Sequence, residues 1–227
     1  MNKKKQNIVR LIATTILFGA IWGFFEATAG YLLHWLPNLI SGSIMFPIGA
    51  VLMFWAFQKT KRHDVIIYVG IIAAAIKAIN FALPLAPGGY PKIYNPMISI
   101  ILQSLSIFAA SYFFKTKPNK VSDYVINLGL IYAISFTWRS LFLVNYAISY
   151  AATGFLANQI SSAPAILSFI LLNGLIELSV LAVIYIVYRL IVEFVQPKLK
   201  VKETPNWLLY VLSPLTLVIA ILAVVIK

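Results

Sequence analysis

Residues 19–37 read GAIWGFFEATAGYLLHWLP, a nearly apolar stretch that carries one acid, Glu26. The stretch belongs to an apolar run from about residue 11 to residue 33, which follows a basic N-terminus. A run of that length is sufficient for a helix to cross the roughly 30 Å hydrocarbon core of a bilayer. A carboxylate in hydrocarbon costs at least ~2.5 kcal/mol on insertion scales. The sequence therefore predicts a first membrane helix whose acid is compensated by side chains elsewhere in the chain.

The composition is that of an integral membrane protein. The 227 residues are 61% hydrophobic and 11% charged, and the mean hydropathy is +0.91, whereas soluble domains are about half apolar and about a quarter charged. A net charge of +12 would suggest nucleic acid as the partner of a soluble chain, but the bases here are confined to short connectors. We therefore expect a lipid bilayer and no nucleic acid as partner. Because the chain has no cysteine, thiolate metal sites are excluded, and we expect no metal and no cofactor.

Seven apolar runs follow one another along the chain, and all but the second have the roughly 17–25 residues of a membrane-crossing helix. They lie at about residues 11–33, 44–57, 65–83, 97–114, 124–147, 164–188 and 207–226. The connectors on the N-terminal side hold nearly all lysines and arginines, whereas the opposite side holds only Lys92 and Lys227. By the positive-inside rule, the N-terminus is cytoplasmic and the C-terminus lies outside. The sequence predicts an all-α, polytopic transmembrane helical bundle in the cell membrane. We expect one domain, 1–227, with a six-helix core and a C-terminal helix.

Four ionisable residues interrupt these runs: Glu26, Lys77, Arg139 and Glu177. A helical rise of about 1.5 Å per residue puts the first three in the outer half of the bilayer and Glu177 near its middle. Intramembrane charges face the bundle interior and pair with one another, so we expect the two acids and two bases to meet there. Helical spacing or direct adjacency adds polar and aromatic neighbours: Trp22, Asn80, Ser99, Gln103, Ser135, Trp138 and Asn173.

Two interpretations of this cluster remain open. In the first, the charges are buried ion pairs that fix the packing of the helices. In the second, they line a ligand pocket open to the outside, in which bases hold anionic groups, acids hold cationic groups, amides bind hydrogen-bonding edges and indoles stack on a flat ring. The bases are Arg139 and Lys77, and the acids are Glu26 and Glu177. The amides are Asn80, Gln103 and Asn173, and the indoles are Trp22 and Trp138.

Two further features bear on the first and third runs. Gly19, Gly23 and Ala27 form a stripe of small residues at four-residue spacing, which lets another helix approach closely. Because Gly23 and Glu26 lie near each other around the helix, we expect that neighbour to belong to the same chain rather than to another subunit. The segment 84–96 is rich in proline and glycine, so a loop is predicted, either a lid over the pocket or a plain connector.

A small, basic, very apolar bundle with a polar pocket in its outer half resembles the substrate-binding S components of energy-coupling-factor vitamin transporters. The resemblance covers roughly residues 8–190 and is architectural. It implies that a membrane coupling subunit, which works with ATPases, docks on the small residues of the first helix, and that loop 84–96 acts as a gate. The family usually has six helices, so the run 207–226 is a departure from its pattern.

The leading functional prediction is a transport protein that captures a small polar or zwitterionic, partly aromatic, vitamin-like ligand from outside. No GxxxxGK[ST] motif is present, so an ATP-driven step would need partner subunits. One alternative is an ion- or proton-coupled secondary carrier in which Glu26 or Glu177 titrates. An intramembrane enzyme, with one of these acids as base and His34 as acid, is a further alternative, but no HExxH or GxSxG motif is present and we expect no enzyme. The last is a structural or assembly subunit.

Overall fold

The computed structural model describes residues 3–29, 38–83, 90–154, 157–191 and 205–226. Within these ranges the chain is helical and contains no strand. Its long helices are α1 (Lys3–Ala27), α2 (Asn38–Thr60), α3 (Asp64–Ala78), α4 (Pro91–Ser111), α5 (Val121–Thr153), α6 (Ala163–Leu190) and α7 (Asn206–Val225). A 3₁₀ turn, Ile79–Ala82, extends α3, and a π-helical turn, Ser168–Leu172, lies within α6. The predicted all-α helical bundle is confirmed.

Over their described residues, six of these helices, α1 and α3 to α7, are long and apolar enough to cross a bilayer. The chain is therefore a membrane-embedded protein. The predicted second run, 44–57, lies inside the longer helix α2, and the predicted fifth run, 124–147, lies inside the 33-residue helix α5. The number of crossings and the orientation in the membrane stay predictions.

The predicted loop 84–96 is too long. Residues 84–89 lie outside the described residues, but α4 begins at Pro91 and runs through Pro96. Pro91 is tolerated in the first turn because the amide N–H that it lacks would have no helical acceptor there, whereas Pro96 lies inside the helix. The proline-rich segment therefore includes the start of helix α4 as well as a connector.

The helices pack as an up-and-down bundle. Helix α1 lies between α3 and α7, and α2 contacts α1, α3, α4 and α6. The start of α3 meets the end of α4, where His63 Nδ1 lies 2.7 Å from Ser111 Oγ. The predicted C-terminal helix is integral to the bundle, because Ala220 and Val224 of α7 are buried in one cluster with Ala27 of α1.

The small-residue stripe of α1 faces α3. A methyl group on Gly19 would lie 2.7 Å from Ile72 Cβ, and one on Gly23 would lie 2.6 Å from Ile76 Cδ1. No real Cβ contact is that short, so only glycine permits this separation of the two helices. The expectation that the stripe packs within the chain is confirmed, and α3 occupies the face on which the resemblance would place a coupling subunit.

Basic side chains gather at one end of the bundle, which we call the basic end. Arg10 of α1 shares a crevice there with Lys59 and Arg62, at and just beyond the end of α2. Lys115 and Arg189 line a second depression, together with Gln58 of α2. The end of α1 and the 3₁₀ turn after α3 lie at the other end, which we call the opposite end.

Candidate functional site

Arg139 of α5 and Glu177 of α6 form an ion pair inside the bundle. Their side chains are 2% and 0% exposed, and Arg139 Nη2 lies 2.5 Å from Glu177 Oε1. A second hydrogen bond of 3.3 Å joins Arg139 Nε to Glu177 Oε2. Such a two-point pairing is the strongest form of a guanidinium–carboxylate contact.

The neighbours predicted from helical spacing complete this pair. Ser135 Oγ donates to Glu177 Oε2, and Trp138 Nε1 donates to the same oxygen at 3.3 Å. The guanidinium carbon of Arg139 lies 4.7 Å from the ring centre of Trp138 and 4.9 Å from that of Phe169. Both distances are within the range of cation–π attraction.

The remaining acceptors for Arg139 lie beside two helix irregularities. In the π turn of α6, the amide N–H of Asn173 bonds to the carbonyl of Ser168, and the carbonyl of Phe169 accepts from Arg139 Nη1 at 3.0 Å. In α2, Ser43 Oγ accepts from Arg139 Nη2 at 3.1 Å. Pro47 follows Ser43 by one turn and, lacking an N–H, cannot donate to its carbonyl.

Sequence reasoning missed Ser43 and Phe169. Phe169 contributes a backbone carbonyl and a ring face, for which no sequence pattern is diagnostic. Ser43 contributes a hydroxyl; Pro47, one turn later, frees the Ser43 carbonyl and not this hydroxyl, so it did not predict the contact either.

Arg139 and Glu177 are held mainly by protein groups, since four of the five N–H donors of Arg139 have acceptors in the protein. Arg139 uses four N–H groups on Glu177, Phe169 and Ser43. The pair therefore matches the interpretation in which buried charges fix the packing of α2, α5 and α6. The role of these residues in ligand binding stays a prediction.

Lys77 of α3 and Glu26 of α1 form a different arrangement towards the opposite end. Lys77 is 5% exposed and Glu26 is 8% exposed, and the carboxylate of Glu26 acts electrostatically on the Lys77 ammonium. Within the described part of the chain, the ammonium makes no ion pair within 4.0 Å and no hydrogen bond. The backbone carbonyl of Lys77 accepts from Asn80 Nδ2 at 2.8 Å, so the Asn80 side chain closes the end of α3.

The four charges interact as two pairs, Glu26 with Lys77 and Arg139 with Glu177. Each pair joins a different set of helices. Helix rotation and the identity of the neighbouring helices decide which charges meet, and hydropathy specifies neither. A single pocket that holds both pairs stays a prediction.

The remaining predicted residues lie within or between helices. Trp22 is fully buried against α2, since a methyl on Gly49 would lie 2.5 Å from Trp22 Cε2. Gln103 is buried and its Nε2 donates to Ser99 Oγ at 2.8 Å. Asn173 is buried where the π turn ends. His34 lies outside the described residues.

No family model, curated protein or solved structure matches the chain. The resemblance to the energy-coupling-factor S components therefore stays a prediction, and the geometry alone supports any functional conclusion. Within the described residues, no group of three or more histidine and acidic side chains is placed to hold a metal ion.

A cavity of about 530 Å³ lies at the basic end, between α2, α4, α5 and α6. Its walls are mainly apolar, and its polar side chains, among them Gln58, Lys115 and Arg189, lie towards the basic end. The cavity is thus at the end opposite to the one for which the outside pocket is predicted. It contains none of the predicted site residues.

Proposed function

We propose that this chain is a membrane transport protein that binds a small polar or zwitterionic ligand beside Lys77 and Glu26. The ammonium of Lys77 carries the proposal, because the residue is only 5% exposed and yet the ammonium has no hydrogen-bond acceptor within the described residues. A buried charge without hydrogen bonds is costly, and intramembrane charges commonly mark substrate or ion pathways. A ligand oxygen would supply the missing acceptor.

The chemistry of the two side chains defines the ligand. The Lys77 ammonium would bind a carboxylate or phosphate, and the Glu26 carboxylate would bind an amine or another N–H donor of the same molecule. An amphoteric, vitamin-like or amino-acid-like compound has both groups. Arg139, Glu177 and Trp138 would then act as the frame that orders α5 and α6 rather than as ligand contacts.

The proposed orientation has the N-terminus inside and the C-terminus outside, so the Lys77 end would receive its ligand from outside. Because the chain has no phosphate-binding loop, energy for release to the inside would come from partners. A coupling subunit with ATPases, as in the energy-coupling-factor transporters, is the proposed partner. Its docking surface would be other than the Gly19 and Gly23 face, which α3 covers.

The direct test is to identify a ligand that stays bound to the protein during purification. The protein is purified from its native membranes in mild detergent and denatured, and the released small molecules are identified by mass spectrometry. Lys77→Met and Glu26→Gln are compared with Lys59→Met, which removes one positive charge at the basic end.

We expect an amphoteric compound in the wild-type and Lys59→Met extracts, reduced at least ~10-fold in Lys77→Met, since a charged hydrogen bond contributes about 1.5–3 kcal/mol. Equal amounts in the wild-type and Lys77→Met extracts would contradict the proposal. So would an empty wild-type extract, if no amphoteric compound raises the Tm of the wild type in a screen.

A second candidate, a proton-coupled secondary carrier, is favoured by the buried acid Glu26 acting on the buried base Lys77. Carboxylates inside the membrane are common proton-relay groups. Uptake by vesicles that contain this chain alone, abolished by an uncoupler and by Glu26→Gln, would support the carrier over a subunit that depends on ATPases.

A further inference from the structure

The cavity at the basic end has the size and lining of a binding site. Its volume of about 530 Å³ falls within the roughly 300–1,000 Å³ of small-molecule pockets, which are mostly apolar with a few polar groups. Phe54, Ile131 and Leu181 contribute to its apolar walls. Its innermost lining includes Phe46, whose ring lies 5.7 Å from that of Trp138, so the cavity ends beneath the Arg139 ion pair.

The cavity is elongated along the bundle. Its lining on α2 runs from Phe46 to Gln58, a rise of about 18 Å. On α6 the lining runs from Leu181 to Ile191, a rise of about 15 Å. This shape suits an extended chain rather than a compact ring system.

The part of the cavity nearest the basic end, which we call its mouth, is cationic. Lys115 and Arg189 lie there with Gln58 and Thr116, and none of the lining residues is an acid. The guanidinium carbon of Arg189 lies 5.8 Å from the ring centre of Tyr124. Gln58 Oε1 accepts from Tyr188 Oη at 2.7 Å. These contacts hold the polar side chains at the rim, away from the apolar walls.

The connector that carries Lys115 is held to the bundle by Asn127. Asn127 Oδ1 accepts from the Lys115 amide at 2.8 Å, and its Nδ2 donates to the Lys115 carbonyl at 2.9 Å. The same Nδ2 donates to Tyr185 Oη, on the cavity wall, at 2.7 Å. Asn127 is fully buried, so the backbone at the mouth has a defined position.

We propose that this cavity binds an anionic single-chain amphiphile, with its apolar chain along α2 and α6 and its carboxylate or phosphate at Arg189 and Lys115. Burial of the chain removes apolar surface from water, and the two bases select the charge of the head group. This site is separate from Lys77 and Glu26 and does not depend on the function proposed there. Two sources share this chemistry, a free long-chain acid and one chain of an anionic bilayer lipid.

Tryptophan quenching tests the position and the charge preference together. The full chain is placed in nanodiscs of zwitterionic phosphatidylcholine and titrated with 12-bromododecanoate or with 12-bromododecyltrimethylammonium. Trp55 lines the cavity and reports on the brominated chain. We expect saturable quenching by the carboxylate, with a Kd at least ~10-fold below that of the ammonium compound, and loss of most of that quenching in Trp55→Phe.

Variants assign the head group. Arg189→Gln is expected to raise the Kd of the carboxylate about 10-fold, and Arg189→Lys to recover most of the affinity. Lys59→Gln is the matched control, because it removes one charge at the basic end outside the cavity, and its Kd should equal that of the wild type. Val51→Phe narrows the cavity without changing any charge and should also weaken binding.

The possible results separate clearly. Equal quenching by the carboxylate and the ammonium compound, unchanged quenching in Trp55→Phe, or wild-type affinity in a folded Arg189→Gln protein would each overturn the proposal. If Arg189→Gln does not fold, Val51→Phe and the head-group comparison decide. Competition by phosphatidylglycerol in the nanodisc would support a bilayer source. Competition by dodecanoate alone would support a free acid.

Discussion

Arg139 illustrates how a guanidinium is accommodated in the middle of an apolar bundle. Its partners are a carboxylate, a hydroxyl and a backbone carbonyl from two other helices, and two aromatic rings lie within cation–π distance. Removing both charges of a buried pair is often tolerated, whereas removing one leaves an uncompensated buried charge. That asymmetry distinguishes a structural pair from a binding pair.

Arg139→Met is therefore expected to destabilise the protein by about 3–5 kcal/mol, because Glu177 loses its partner. The double variant Arg139→Met, Glu177→Met should be markedly more stable than the single one. Unfolding in a denaturing detergent measures both. Arg62→Gln, which breaks the exposed pair with Asp64, is the control and should leave stability near that of the wild type. A double variant no more stable than Arg139→Met would contradict the structural role.

Among the helices, the contact between α1 and α3 depends directly on residue size. The clashes predicted for a methyl group on Gly23 involve Ile76 Cβ and Cγ2 at 3.0 Å as well as Cδ1 at 2.6 Å. The Ile76 side chain cannot avoid all of them by moving its terminal methyl alone. The helices would have to separate.

Gly23→Ala is expected to cost about 1–3 kcal/mol through overpacking and to lower the Tm. Gly129→Ala is the matched control, because nothing lies within 4 Å of an added methyl there and alanine favours a helix over glycine by up to about 1 kcal/mol. A Gly23→Ala protein as stable as Gly129→Ala would show that α1 and α3 pack less closely than described.

The connector between α4 and α5 depends on one amide. Asn127→Ala removes both hydrogen bonds to the Lys115 backbone, so the connector should become more mobile, and trypsin should cleave it faster at its exposed lysines. We expect cleavage several-fold faster than in the wild type, measured by gel analysis of limited proteolysis. Asn119→Ala, in the same connector, should change the rate little, because Asn119 bonds to Asp123 through its backbone amide.

At the scale of the molecule, orientation in the membrane is open to a simple test, because the chain has no cysteine. Lys117→Cys is at the basic end, and Ser161→Cys lies between α5 and α6 at the opposite end. By the positive-inside rule, a membrane-impermeant maleimide added to intact cells should label the second and not the first. Labelling of Lys117→Cys alone would reverse the proposed orientation.

The sequence predicted the helices well, because a bilayer permits few structures and hydropathy reports them. The buried state of Glu26, Lys77, Arg139 and Glu177 also followed from the cost of charge in lipid. The way in which they pair did not follow, because it depends on helix rotation and on which helices are neighbours. The sequence did not predict Ser43 and Phe169, for another reason. They act through a hydroxyl and a backbone carbonyl, for which no sequence pattern is diagnostic.

Helix α5 has a consequence for the surrounding lipid. Its 33 residues span about 50 Å, well beyond the roughly 30 Å of a typical hydrocarbon core. Its last turns carry exposed Ile148 and Tyr150, so the excess is not wholly polar. Such a hydrophobic mismatch is relieved by helix tilt or by local thickening of the bilayer. Acyl-chain length therefore becomes a determinant of stability, and thicker bilayers should suit this protein better than thin ones.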